Sequence, residues 1–247
     1  MKALILAAGL GTRLAPITDD YPKCMTVVAE GKSIIEKQID NLHSVGIDDI
    51  TVITGYKADL LKNFLESKYK GLNIVESVNY RTTNNMFSAF LGEPYVSGNE
   101  FLMMNADVFY DASVLKDLIA CEAVDAIVTD IGRYIEESMK VVEKDGKLIK
   151  ISKSIKPEEA LGSSIDVYKF SINGGKKFFA KCSEYINDKK EVKLWSEVAL
   201  NDILPESNFK ACPLNGRWFE IDNHEDLKAA RILFGDTSSI DYCKVGG

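Results

Sequence analysis

The sequence predicts an α/β protein with a mixed, mostly parallel central sheet. Short apolar runs alternate with amphipathic segments through about residue 130, which is the alternation expected of βαβ units. Beyond that point a hairpin signal and several short strands indicate an antiparallel part. At 247 residues, with no linker, repeat or low-complexity stretch, the chain is expected to form one domain.

The elements predicted in the first half follow from apolar periodicity and glycine stops. The run Lys2–Ala7 has no period, as a strand buried on both faces requires, and it stops before Gly9. Helical spacing of apolar residues over 33–45 is closed by Gly46. By the same criteria we predict strands at 50–54, 72–77, 101–104 and 125–130, and helices at 58–69 and 112–120.

The second half is predicted to begin with a hairpin at 139–142 and 148–151, around the turn Asp145-Gly146. The remaining predictions are a strand at 164–170, helices near 173–186 and 194–202, short strands near 209–213 and 217–221, and a last helix from about His224. We expect residues 1–235 to form the domain and 236–247 a C-terminal tail.

Composition and charge argue against several classes of protein. A net charge of −7 disfavours a nucleic-acid binder, which needs a basic face. The five cysteines form no CxxC pair and only two histidines accompany them, so we expect reduced thiols and no zinc site. The apolar run 3–8 is too short to span a membrane and lacks a signal-peptide cleavage pattern. We therefore expect a cytoplasmic protein that binds neither membranes nor nucleic acid.

The loop after the first strand matches neither of two common nucleotide-binding patterns. A dinucleotide fingerprint needs a third glycine where Leu14 stands. A P-loop ending at 31–33 needs a glycine where Thr26 stands. A dehydrogenase or a P-loop enzyme therefore has little support.

The same loop nevertheless has the chemistry of a phosphate site. Gly9 and Gly11 permit positive φ and let backbone N–H groups approach a phosphate. Arg13 offers a fork of donors for phosphate oxygens, and Lys23 offers a mobile point charge. The alternative is a tight strand exit with surface cations.

Two aspartates, Asp107 and Asp222, each follow a predicted strand. Ligands of open α/β sheets sit at the carboxyl ends of strands, where two carboxylates can share a hard cation. Taken singly, each aspartate is more typical of a helix cap or a turn.

The loop and both aspartates resemble motifs of the sugar-phosphate nucleotidyltransferase superfamily. The motif A-A-G-x-G-T-R-L-x-P-x-T followed by P-K stands at 7–18 and 22–23, and W-x-E-I-D-x-x-x-D-L stands at 218–227. The resemblance implies a Rossmann-like nucleotidyltransferase domain, with a nucleotide-binding half at about 1–130 and an inserted acceptor-binding half at about 131–222.

The resemblance also implies roles for individual residues. Arg13 and Lys23 would be catalytic, and Asp107 and Asp222 would bind Mg²⁺ as the cofactor. The nucleotide contacts that it implies in the first half are Leu6, Ala8, Gly9, Gly11, Thr12, Arg13, Asn105 and Asp107. Asp226 is expected to serve the first turn of the last helix.

The segment at 80–93 resembles the bacterial phosphocholine cytidylyltransferase-like branch. Asn84 and Asn85 carry amides suited to a pyrimidine edge, and Ser88 follows one helical turn later. The resemblance implies that these three residues frame the cytidine of CTP, although an asparagine N-cap is the simpler interpretation. The whole chain looks most like the CTP:phosphoglutamine cytidylyltransferases of bacterial capsular phosphoramidate synthesis, which implies a place in capsule biosynthesis.

The acceptor pocket departs from the pattern G-E-x-x-G-x-Y of many relatives, because Ser163 replaces its glutamate and Asp166 its second glycine. The acceptor contacts that we predict are Lys23, Arg133, Lys140, Lys153, Ser163, Asp166, Glu197 and Arg217. The best match for the acceptor is a phosphorylated, amine-bearing small molecule such as L-glutamine phosphate. Phosphocholine, aminoethylphosphonate, a sugar 1-phosphate with another nucleotide, and a non-catalytic sensor stay open. A monomer and a homodimer are equally compatible with the sequence.

Overall fold

The computed structural model describes residues 1–235, so the tail predicted at 236–247 lies outside the described residues. The strands are β1 (Lys2–Ala7), β2 (Val27–Ala29), β3 (Lys32–Ser33), β4 (Ile50–Thr54), β5 (Asn73–Glu76), β6 (Phe101–Asn105), β7 (Val108–Tyr110), β8 (Asp125–Ile131), β9 (Lys140–Lys144), β10 (Lys147–Ser152), β11 (Gly162–Phe170), β12 (Phe209–Pro213) and β13 (Trp218–Glu220). The helices are α1 (Ile17–Asp20), α2 (Ile34–Ser44), α3 (Ala58–Lys68), α4 (Asn85–Val96), α5 (Ser113–Ala120), α6 (Ile172–Ser183), α7 (Ser196–Ile203) and α8 (His224–Leu233).

The first half forms a parallel sheet with β1 at its centre. β1 pairs in parallel with β4 on one side and β6 on the other, and β5 pairs in parallel with β4. Ala3 and Ile5 of β1 enter one apolar cluster, with α2, α3 and α5, whereas Leu4 and Leu6 enter another, with α4, α6 and α7. Helices therefore cover both faces of the strand, which explains why its residues 3–7 are all apolar.

The second half adds antiparallel strands to the same sheet. β11 runs antiparallel to β6, β8 and β9, and β10 forms a hairpin with β9. Asp145 and Gly146 at the hairpin turn have φ values of 52° and 74°, as the tightest hairpin turns require. The mixed, mostly parallel sheet predicted from the sequence is thus confirmed.

A small separate sheet differs from the prediction. The strand predicted at 217–221 is β13, and it pairs antiparallel with β7, which the sequence analysis did not identify. An apolar cluster on this small sheet contains Leu14 of the first loop, Phe109 of β7 and Leu227 of α8. The small sheet consequently connects the first loop to the last helix.

Other differences concern turns and helix ends. The sequence indicated only the start of α4, and a π-helical turn at Glu184–Asp188 follows α6 where helix was predicted to 186. Short 3₁₀ turns at Thr12–Leu14 and Lys23–Met25 lie within the first loop and just after it. No helix of the described chain is long and apolar enough to cross a membrane.

Candidate active site

The first loop leaves β1 and curves back so that Lys23 meets its glycine turn. Gly11 has a φ of 63°, and a Cβ atom there would lie only 2.7 Å from Cβ of Lys23. Glycine is therefore required for two reasons, the left-handed backbone and the close approach. Gly9 does not adopt the positive φ that glycine permits, but a Cβ there would meet nothing within 4 Å, so its backbone borders open space.

The last helix holds this loop in place. Nε2 of His224 lies 2.8 Å from the carbonyl oxygen of Ala15. Leu14 is fully buried in the same apolar cluster as Ile221 and Leu227. The loop is thus supported by α8 and by the segment that carries Asp222.

Pairing of β7 with β13 brings the two predicted metal ligands together. Asp107 directly precedes β7 and Asp222 follows β13, and the backbone N–H of Ile221 donates to the carbonyl oxygen of Asp107 at 2.9 Å. Asp226 accepts from the backbone N–H groups of Asp222 and Asn223 at 3.0 and 3.1 Å. Asp226 thus serves the first turn of α8, as expected, and orients Asp222.

Both catalytic candidates contact these carboxylates. Nζ of Lys23 lies 3.1 Å from Oδ2 of Asp107 and 2.7 Å from Oδ1 of Asp222, and Arg13 lies 2.8 Å from Oδ2 of Asp222. Burial disfavours the charged form of Lys23, but the two aspartates raise its pKa overall. Burial likewise opposes ionisation of Asp222, yet Lys23 and Arg13 lower its pKa. Lys23 and Asp222 therefore remain charged at neutral pH.

The residues around Asp107 fit a divalent cation. Carboxylate oxygens of Asp107, Glu220 and Asp222 lie within 4.8 Å of one another. Oδ1 of Asp107 is buried and has no hydrogen-bond partner within the described chain. Burial, followed by the charges of Asp107 and Asp222, raises the pKa of Glu220 to about 7. A hard cation with oxygen ligands would satisfy the orphaned oxygen and relieve this repulsion.

Two adjoining cavities, of about 290 and 300 Å³, open on this acidic cluster. Both are lined by Leu6, Gly9, Arg13, Asp107 and Asp222. The second continues along the loop past Gly11, Thr12 and Lys23. The first is also lined by Ala8, Asn84, Asn85, Ser88 and Asn105, so the structure brings every predicted nucleotide contact to one of these walls.

The start of α4 forms the polar end of the first cavity. Asn84 is the N-cap, and its side chain accepts from the backbone N–H of Asn85. The side-chain oxygen of Asn85 accepts from the backbone N–H of Ser196 at 2.8 Å, which fixes the orientation of its amide. Ser88 is buried on the same wall, and Tyr80 and Thr83 complete it. Asn84 is therefore both the N-cap of α4 and a wall residue of the cleft that the two cavities form.

The structure brings part of the predicted acceptor set into the cleft. Lys153, Asp166 and Glu197 line the first cavity. Arg133 lines a neighbouring cavity, where it pairs with Asp130 at 3.3 Å and lies over the ring of Trp218.

Three predicted acceptor contacts lie elsewhere, each with partners of its own. Arg217 forms a two-pronged ion pair with Asp111, with both N–O distances 2.9 Å. Lys140 is fully buried and donates to the carbonyl oxygen of Glu136, and burial, then Lys153, lowers its pKa. Ser163 is buried and bonds to the backbone at Arg133 and Ile135. None of the three lines either of the two cavities, and their acceptor roles remain predictions.

Sequence reasoning did not assign five residues that line the first cavity: Tyr80, Thr83, Met139, Trp195 and Glu220. For Glu220 a signal existed, because it ends the short strand β13 only two residues before Asp222. For Tyr80 and Thr83 the adjacent asparagine motif was the available signal.

Comparisons of the sequence and of the fold with known proteins agree with one another. The sequence profile of the family described as nucleotidyl transferase matches residues 2–230. CTP:phosphoglutamine cytidylyltransferase of Campylobacter jejuni is 30% identical over 250 residues, covering 92% of this chain and 98% of that protein. Choline-phosphate cytidylyltransferase of Streptococcus pneumoniae is 45% identical over 91 residues, covering 37% of this chain and 38% of that protein. The structure of the CTP:phosphocholine cytidylyltransferase from Streptococcus pneumoniae superposes with a TM-score of 0.77 at 24% identity, covering 94% of this chain and 97% of that one.

Proposed function

The chain belongs to the nucleotidyl transferase family and is a nucleotidyltransferase with cytidylyltransferase relatives, and we propose that it transfers the cytidylyl group of CTP to a phosphorylated, amine-bearing small molecule. The observation that carries this proposal is the convergence of Arg13 and Lys23 with Asp107 and Asp222 where the two cavities meet. Cations for phosphates and carboxylates for a metal ion are both needed for this reaction.

In the proposed reaction an oxygen of the acceptor phosphate attacks the α-phosphorus of CTP. The bond from that phosphorus to the oxygen bridging to the β-phosphate breaks, and pyrophosphate leaves while a CDP-linked acceptor forms. The attacking oxygen is already anionic at neutral pH, so no enzyme nucleophile is required. Catalysis then consists of positioning and charge neutralisation.

The two cations have separate tasks in this scheme. Arg13, more than half exposed at the mouth of the loop, pairs with the departing pyrophosphate. Lys23 is buried beside both aspartates and reduces the repulsion between the α-phosphate and the acceptor phosphate. Asn84, Asn85 and Ser88 recognise the cytosine with their amide and hydroxyl groups.

Asp107 and Asp222, with Glu220 beside them, would hold Mg²⁺. When bound, the ion would supply positive charge to phosphate oxygens in the transition state. Asp226 and the small sheet keep the two aspartates close, since they fix the backbone on both sides of the site.

L-Glutamine phosphate is the best candidate acceptor. Support comes from the Campylobacter jejuni relative, whose name specifies phosphoglutamine and which this chain matches over nearly its whole length. Support also comes from the acidic wall of the first cavity, where Asp166 and Glu197 offer negative charge to an ammonium group. Phosphocholine and aminoethylphosphonate are the alternatives to include in an assay.

The test is pyrophosphate release with Mg²⁺ across CTP, UTP, dTTP, ATP and GTP, each paired with L-glutamine phosphate, phosphocholine, aminoethylphosphonate and glucose 1-phosphate. Turnover with CTP and an amine-bearing acceptor is the expected result. Turnover with a sugar phosphate and another nucleotide would contradict the cytidylyl assignment. Tight CTP binding without turnover with any acceptor would indicate a sensor.

A further inference from the structure

β11 carries a carboxylate at a position that ordinarily favours glycine. Pairing of β11 with β8 shifts between Ser164 and Tyr168, and within this bulge Asp166 has a left-handed φ of 58°. Aspartate adopts this conformation more readily than most residues, but at a conformational cost that glycine avoids. The side chain is held there by Asn105, whose amide donates to Oδ2 of Asp166 at 3.0 Å.

Asp166 shares one hydrogen-bond donor with a second carboxylate. The hydroxyl of Tyr168 lies 2.8 Å from Oδ1 of Asp166 and 3.0 Å from Oε1 of Glu197. Tyr168 is fully buried, and Glu197 is only 3% exposed. The hydroxyl of Ser196 lies 3.2 Å from Oε1 of Glu197, and that of Ser164 lies 3.5 Å from Oδ1 of Asp166. These donors are all neutral hydroxyls, so none of them neutralises the charge of the two carboxylates.

This pair has no cation of its own within the described chain. Neither Asp166 nor Glu197 forms an ion pair there, while Lys23 is engaged by the aspartates of the metal cluster. Lys153 lies 5.2 Å from the ring centre of Trp195 instead. Burial, followed by the charges of Glu197, Glu220 and Asp107, raises the pKa of Asp166 well above its usual range. A positive charge from a ligand would relieve this repulsion.

We propose that Asp166 and Glu197, joined by Tyr168, bind a primary ammonium group of the acceptor and select it over hydroxyl and quaternary ammonium groups. This inference rests on the proposed function, because it assigns one end of the same acceptor site. CTP cannot supply the charge, since its phosphates are anionic. A primary ammonium has three N–H donors for the two carboxylates, whereas a quaternary ammonium has none and depends on aromatic faces. The face of Trp195 is already used by Lys153.

The test uses three acceptors that differ only at the end group: 2-aminoethyl phosphate, 2-hydroxyethyl phosphate and phosphocholine. For each, kcat/KM with CTP is measured for the wild type and for Asp166→Asn, which keeps the size and tolerates the left-handed backbone. Asp145→Asn is the matched control, because Asp145 has a φ of 52° in an exposed hairpin turn away from the cleft.

We expect the wild type to favour the primary ammonium over both other end groups by at least about tenfold, the scale of one charge-assisted hydrogen bond. Asp166→Asn should reduce that preference by about 10- to 100-fold, and Asp145→Asn should not change it. Asp166→Gly, which suits the backbone, should give the same loss of preference if Asp166→Asn folds poorly. Equal wild-type efficiency with 2-aminoethyl and 2-hydroxyethyl phosphate would overturn the inference, as would an unchanged preference in the folded variants.

Failure of the proposed function would give a different experimental result from failure of the ammonium site. If CTP is not turned over with any acceptor, the function is wrong, and equilibrium binding of the two ethyl phosphates then decides the ammonium site. Tighter binding of 2-aminoethyl phosphate to the wild type, lost in Asp166→Gly, supports the site. Equal binding of the two compounds overturns it.

Discussion

Lys23 is oriented by the same carboxylates that are assigned to the metal ion. Its ammonium lies between Asp107 and Asp222, and its side chain is only 14% exposed. Holding a long side chain in one position before the substrate arrives removes entropy that would otherwise be lost during the reaction. Lys23 is thus a preorganised cation.

We expect Lys23→Ala to lower kcat by on the order of a hundredfold or more, with a smaller effect on CTP affinity, because the charge acts where the two phosphates meet. Steady-state kinetics together with CTP titration measure both quantities. Lys62→Ala, on the exposed surface of α3, is the control. An unchanged kcat in the folded variant would refute the role of Lys23.

Glu220 provides a pH-dependent test of the acidic cluster. Burial and two neighbouring aspartates raise its pKa to about 7. Since the folded state binds this proton more tightly than the unfolded state, Glu220 favours folding at acid pH, and that contribution is lost as the pH rises through about 7.

Glu220→Gln should therefore be more stable than the wild type at about pH 8 in EDTA, by on the order of 1 kcal/mol or more, and this gain should shrink toward about pH 5. Chemical unfolding at several pH values measures the difference, with exposed Glu225→Gln as the control. A gain that is independent of pH would mean that Glu220 titrates normally.

At the scale of elements, helix α2 supports the turn that carries Asp107. Nε2 of the buried Gln38 donates to the carbonyl oxygens of Asn105 and Val108, both at 2.9 Å, on either side of Asp107. Asn41, one turn later, donates to the carbonyl oxygen of Tyr110 at 2.9 Å. Two amides of one helix thus hold the segment from β6 to β7.

Gln38→Leu should lower stability by about 1–3 kcal/mol, because two buried carbonyl groups lose their donor. It should also lower kcat, since the turn that carries Asp107 loses its support. Asn41→Leu is the matched control and should cost stability without a comparable loss of kcat. Equal kcat values for the two variants would show that Gln38 does not position Asp107.

The elements differ in how well sequence predicts them. β1 and β4 match their predicted bounds, since strands buried on both faces are rich in apolar and β-branched residues and have clear ends. The pairing of β7 with β13 could not be predicted, because β7 was not identified from the sequence and the two strands lie more than a hundred positions apart. That pairing is what unites Asp107 and Asp222.

At the scale of the whole molecule, the cleft lies where parallel strands meet antiparallel ones. The carboxyl ends of β1 and β6 supply the loop and Asp107, and β11, antiparallel to β6, supplies Asp166. A parallel α/β edge was predictable as the location of the site. The residues on the acceptor side are harder to predict. Lys140, Ser163 and Arg217 form hydrogen bonds to other protein groups, and no sequence motif reveals those partners.

We propose that CTP and an amine-bearing phosphate react at the cluster of Asp107, Asp222 and Lys23. The most direct test incubates the protein with Mg²⁺, CTP labelled at the α-phosphorus and L-glutamine phosphate, for the wild type, Asp107→Asn and the exposed control Asp59→Asn. We expect label in a CDP-linked acceptor and one pyrophosphate per label transferred. The rate of transfer should fall by on the order of a hundredfold or more in Asp107→Asn and should not change in Asp59→Asn. Label that never reaches an acceptor, or a folded Asp107→Asn protein with wild-type Mg²⁺-dependent activity, would contradict it.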